Sequence, residues 1–343
     1  MAYTDIDKPS DYFNTVLYTG NGGTQSITSL EFAPNWVWIK SRSTVRNNVL
    51  NDTVRGATKN LFSNTTGTES TDTGTLTSFN SDGFTLSNNA KVNESSTTFA
   101  SWNWKAGTSF TNDASATGIG SIDSAGSVNN DAGFSIVSWT GTGSAGTIKH
   151  GLSTAPSMII IKNRSSAYDW TVGHNSLGWT NVVFLNLDTA SQGDTQFNNT
   201  APTSSVFSIG TPLMANKSGD SIIAYCFSEK KGYSKFSSFV GNGNADGTFI
   251  YTGFKPAWVM WKRTDATNDW YIYDNKRNSF NTMGRRLEAN QSDAEVNSGS
   301  AIVDFLSNGY KFRGTDPSWN VSGGNFIYMA FAENPFVTST GVP

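Results

Sequence analysis

The chain has 343 residues, a formal net charge of -3, and only 15% charged residues beside 13% aromatics. Its Lys and Arg fall in isolated pairs such as Lys230-Lys231 and Arg285-Arg286, so no basic stripe exists of the kind a phosphate backbone requires, which argues against nucleic acid as a partner. Two or three domains are expected at this length, and a single cysteine, Cys226, excludes an intrachain disulfide.

Read from the start, the first 13 residues lack a basic stretch followed by an apolar run, so no signal peptide is visible. No apolar run anywhere approaches the roughly 20 residues of a membrane helix, and cytoplasmic synthesis without secretion is expected. An extended segment carrying Tyr18 leads into Gly20-Asn-Gly22; Pro34 follows, then the apolar run Trp36-Val-Trp-Ile39, then Lys40. Thr75–Phe79 and Gly83–Leu86 read as paired strands joined by a short turn. After Asn93 come Phe99, Trp102 and Trp104, the last two alternating with Ser101 and Asn103 as in a strand with one face on a core. Residues 106–132 are dominated by Gly, Ser, Ala, Asn and Asp, the composition of a flexible linker or draped arm.

The same markers then return twice in the same order. Trp139 precedes Gly141-Thr-Gly143, and Phe239 precedes Gly241-Asn-Gly243. Pro156 and Pro256 stand six residues before Lys162 and Lys262, as Pro34 stands before Lys40. The intervening runs are Met158-Ile-Ile-Ile161 and Trp258-Val-Met-Trp261. Asn216 and Asn320 are followed at +6, +9 and +11 by Ile222, Tyr225 and Phe227, and by Phe326, Met329 and Phe331. The proline-to-proline steps, 122 and 100 residues, are far above solenoid periods. The expected fold is therefore all-β, with three tandem β-sandwich or jelly-roll-like repeats of about 100 residues and a linker between the first two. The boundaries follow: an N-terminal arm over 1–11, repeats over 12–105, 133–231 and 232–336, and a C-terminal tail over 337–343. The second and third repeats, with no spacer between them, are expected to pack together. Runs apolar at every position fit strands covered on both faces; the second cover is expected from a neighbouring copy, in a symmetric homo-oligomer such as a trimer.

Gly141-x-Gly143-x-x-Gly146 matches the glycine pattern that cradles a dinucleotide, but a strand follows it where that site needs a helix N-terminus. A turn with positive φ is the expected role. His150 and His174 are the only histidines and neither has a ligand partner at metal spacing, so no catalytic residue, metal or cofactor is assigned. Acid pairs occur in corresponding loops, Glu69 with Asp72 and Asp293 with Glu295, while the second repeat offers Asp188 and Asp194; glycoside hydrolysis would need such a pair across a cleft. Tyr168, Trp179 and Trp319 are the aromatics least constrained by the repeat pattern, and a loop aromatic stacks on sugar rings, which makes them the candidate glycan-binding residues.

The stretches MAYTDIDKPSDYFNTVLYTGNGGTQSI, DTVRGATKNLFSNTTGTES, FNSDGFTL, GFSIVSWTGTGSAGTIKHGLSTAPSMIIIKNR, NNTAPTSSVFSIG and GGNFIYMAFAENPF resemble a repeat family of virion proteins from tailed bacteriophages, notably marine ones. The resemblance covers nearly the whole chain, departing in the first repeat where Leu30-Glu31-Phe32 stands in place of Gly253-Phe254. It implies a structural, tail-fibre-like virion protein that carries a domain of unknown function, is made in the host cytoplasm, and contacts other virion proteins of the tail or capsid. Host attachment through cell-surface glycans is the role expected from that setting. The alternatives are a head decoration protein and, further off, a polysaccharide depolymerase; neither nucleic acid nor membrane insertion is expected.

Overall fold

The computed structural model describes Thr4, residues 6–297 and residues 302–335; the expected tail over 337–343 lies outside the described residues. The fold is almost entirely antiparallel β-structure. Three large sheets carry a recurring strand order. In the first, Phe13–Thr19 pairs with Thr98–Trp104, which pairs with Trp36–Ser41, followed by Val49–Asp52, Lys59–Phe62 and Ser70–Thr71. In the third, Ser234–Val240, Asn325–Pro335, Phe254–Arg263, Trp270–Asp274, Arg285–Glu288 and Val296–Asn297 stand in the same sequence. Each large sheet faces a small one, made in the first case from Gln25–Ile27, Gly83–Leu86 and Leu76–Asn80.

The apolar runs explain how these layers are joined. Because successive side chains of a strand point to opposite faces, Trp36 and Trp38 enter one core while Val37 and Ile39 enter another. Met158 and Ile160 likewise separate from Ile159 and Ile161, and Trp258 and Met260 from Val259 and Trp261. The first set from all three large sheets meets in one central core. There Trp36 stacks on Tyr225 at 4.3 Å, Trp104 meets Trp258 edge-on at 5.8 Å, and Phe227 lies 6.1 Å from Phe331. The second set fills the space between each large sheet and its own small sheet. The face expected to meet a neighbouring copy is thus filled by the other two sheets of the same chain, and packing joins all three large sheets, not the second and third alone.

Residues 106–132 differ from the linker expected of their composition. They form Thr108–Asn112 and Ser124–Asn129, which extend the second large sheet to eight strands by pairing with one another and with Phe134–Thr140. A few apolar anchors suffice to hold them. Ile122 is buried in the core of the second sheet pair, with Phe110 and Val128 packed against it. Gly126 makes room for the Phe110 ring, since a Cβ there would come within 2.9 Å of it.

Candidate functional site

The recurring glycines and asparagines hold each other in place. Gly22, Gly143 and Gly243 have φ of 72°, 74° and 66°, a region open to glycine. Their amides donate to the carbonyls of Asn93, Asn216 and Asn320, each at 2.8 Å. The side-chain oxygens of those asparagines accept the amides of Asn21, Thr142 and Asn242, while each side-chain amide donates to one carbonyl on the glycine loop and to one on the segment preceding the asparagine. The Gly141 turn is therefore closed by Asn216, with its backbone groups already bonded within the chain.

The lysines after each apolar run have a shared role at the borders between sheet pairs. Lys40 Nζ donates to the Ser292 carbonyl of the third pair, Lys162 Nζ to Thr66 of the first, and Lys262 Nζ to Asp188 of the second, at 3.1, 2.8 and 2.9 Å. Each lysine thus reaches the preceding pair, and the contacts close a ring. Burial pushes all three ammonium groups down to about 8. Beside them Glu69 N donates to Arg164 O, Ser191 N to Thr264 O and Glu295 N to Arg42 O. Ion pairs reinforce two of the three borders, Glu69 with Arg164 at 2.9 Å and Glu295 with Arg42 at 2.9 Å, and both acids also contact a buried arginine, Arg55 and Arg277; at the remaining border Ser191 Oγ donates to the Thr264 carbonyl. Of the acids nominated for hydrolysis, Glu69 and Glu295 accordingly sit in inter-sheet ion pairs, Asp72 accepts from Asn89 and Gly74, and Asp293 is exposed.

Both histidines are buried and accept a backbone amide at Nδ1, which leaves Nε2 to carry the proton and donate to a carbonyl. His150 reaches Thr203 at 3.1 Å; His174 reaches Tyr328 of the third pair at 3.3 Å. Burial pushes both down to about 4. Of the nominated aromatics, Trp179 is buried on Phe197 in the second pair and Trp319 is buried against Tyr271 in the third. Neither offers a ring face to solvent, and they belong to different cores. Tyr168 is half-buried, and its carbonyl accepts from Lys162 Nζ. The three do not form one site. Among the described residues no group of three or more His, Cys, Asp or Glu could hold a metal ion.

The concavity with the richest chemistry lies on the third sheet pair. It encloses about 410 Å³ and is lined by Lys255, Asn275, Lys276, Ser279, Phe280, Asn281, Met283, Phe305 and Glu333. A narrower cleft continues from Asn275 and Glu333 to Ser10 and Asn14. A wider hollow of about 450 Å³ beside Asn35 and Phe110 has no charged side chain in its lining. In the groove Lys255 pairs with Glu333 at 2.6 Å, and Asn281 is fixed by two bonds to the Phe305 backbone. The loop is rooted by a buried ion pair: Arg277 Nε donates to Asp274 at 2.6 Å, while the other Asp274 oxygen receives the amides of Lys276 and Arg277. From that root the loop projects Phe280, 83% exposed, at the rim. An exposed ring, amides, a carboxylate and ammonium groups around an open groove are the chemistry that grips a sugar, by stacking on its apolar face and bonding its hydroxyls.

These residues were not nominated from sequence, although a signal existed. From Asp52 to Leu61 is nine residues, whereas from Asp274 to Leu287, which holds the corresponding place in its sheet, is thirteen. The four extra residues build the loop that carries Phe280.

Residues 8–335 match the model of a family described as a domain of unknown function, DUF7483, and the chain belongs to that family. No curated protein and no solved structure matches it.

Proposed function

We propose that this DUF7483 protein is a structural protein on the surface of a bacteriophage particle, built as three tandem β-sandwich repeats. In this reading it is part of a tail fibre or other host-contacting appendage, and it binds cell-surface glycans. The observation that carries the reading is the ring of inter-sheet contacts made by Lys40, Lys162 and Lys262 around one aromatic core. One chain thereby makes a rigid block, suited to work outside a cell without disulfides. The motif resemblance to virion proteins supplies the setting. The groove under Phe280 supports glycan recognition, since it sets a loop aromatic and bonding groups on a rigid scaffold. Serum raised against the chain, applied with gold to intact phage and read by electron microscopy, tests the assignment. Label at the tail is the expected result. Label spread over the head replaces attachment with capsid decoration, and no label on intact particles refutes a surface position.

A further inference from the structure

The three small sheets differ at one edge. In the second pair, the outer strand Gly146–Lys149 is covered by the chain itself: Ser121 N and Ile122 N donate to Thr147 O, and Ile122 bridges Ile148 in parallel. In the first, the outer strand Gln25–Ile27 is three residues long and turns Ser26 outward, a short polar edge that resists pairing. The outer strand of the third, Asp246–Tyr251, is six residues long and stands at the end of its sheet. It turns Phe249 and Tyr251 outward, 43% and 54% exposed, with Ile250 buried between them. An exposed apolar edge of this length is a template for another strand.

The sequence of that edge specifies which strand. Thr248-Phe-Ile-Tyr-Thr252 reads nearly the same in both directions about Ile250. We propose that the third small sheet pairs edge to edge with the same sheet of a second copy, antiparallel and about a twofold axis through Ile250. That register sets Phe249 opposite Tyr251 of the second copy on the outer face, twice. It sets Ile250 opposite its own image on the inner face, while the Thr248 and Thr252 hydroxyls keep their bonds to the Val240 and Phe254 carbonyls within each copy. Aromatic pairs are among the cross-strand combinations that stabilise antiparallel sheets. The two three-stranded sheets become one of six strands, and the interface is isologous. Its area is small, so association depends on concentration.

Two measurements test this with the full chain. In sedimentation over a rising concentration series, the protein should pass from monomer to dimer. F249S/Y251T, which carries small hydroxyl residues like Ser26 at the first sheet's edge, should need at least about tenfold more protein to do so. Covalent capture is the second. Cys226 is buried, so F249C and Y251C each present one accessible thiol. An oxidised mixture of the two variants should yield disulfide-linked heterodimer well above the homodimer formed by either alone. A monomer throughout, a trimer, association unchanged in F249S/Y251T, or no preference for the mixed disulfide would each overturn the proposal.

Discussion

Acid should loosen the block through its histidines. Folding lowers the pKa of His150 and His174 from an ordinary 6.5 to about 4, because both rings are buried as the neutral form. Between those values the folded state binds fewer protons than the unfolded chain. Their contribution is complete above pH 6.5 and is lost as the pH falls towards 4. At pH 5 the loss is roughly 2 kcal/mol for each ring, or roughly 4 kcal/mol together. The assay is chemical denaturation at pH 7.5 and pH 5 for the wild type and for H150Q/H174Q, in which nothing titrates at these positions. Carboxylate effects are common to both proteins and cancel in the comparison. The wild type should lose roughly 4 kcal/mol more than the variant on acidification. An equal loss in both would refute the burial argument for the histidines.

Trp36 is fully buried in the central core against aromatics of the first and second large sheets, Trp104 and Tyr225 among them. Trp36→Ala should cost about 3–5 kcal/mol and lower one calorimetric transition shared by the whole chain, where independent domains would show a single displaced peak among several. Asn320→Ala removes the groups that close the Gly241 turn and should cost about 3 kcal/mol in denaturant unfolding. Gly241→Ala should be damaging at the same place, because a Cβ there would lie 2.2 Å from the Val321 carbonyl. Glu69→Gln leaves Arg164 and the buried Arg55 short of a carboxylate at the border of the first two sheet pairs. Its expected cost is about 1–3 kcal/mol, and Arg164→Met in that background should add little in a double-mutant cycle.

The elements that recur were legible because turns and cores constrain residue type locally. Glycine at positive φ, asparagine with its amide bonded on both sides, and apolar runs before a lysine each leave a mark that survives in three places. What lies across a sheet leaves no such mark. Trp36-Val-Trp-Ile39 reports that both faces are covered, but the cover could be another copy or, as found, the other sheets of the same chain. Composition misled at 106–132, where Phe110, Ile122 and Val128 anchor a segment otherwise polar and small. Trp179 looked like a loop residue beside Gly178, yet it lies over Gly173, where a Cβ would meet its ring at 2.6 Å. The groove escaped for the opposite reason: Phe280 belongs to an insertion, and a residue outside the recurring pattern has no periodicity to expose it.

Glycan recognition is read without an intermediary by adsorption of the purified, labelled protein to host cells. Binding should be saturable, should be removed by stripping surface polysaccharide, and should fall at least about tenfold in Phe280→Ala while the folded state is retained. Equal binding by the wild type and Phe280→Ala, or binding that survives removal of the polysaccharide, would contradict it.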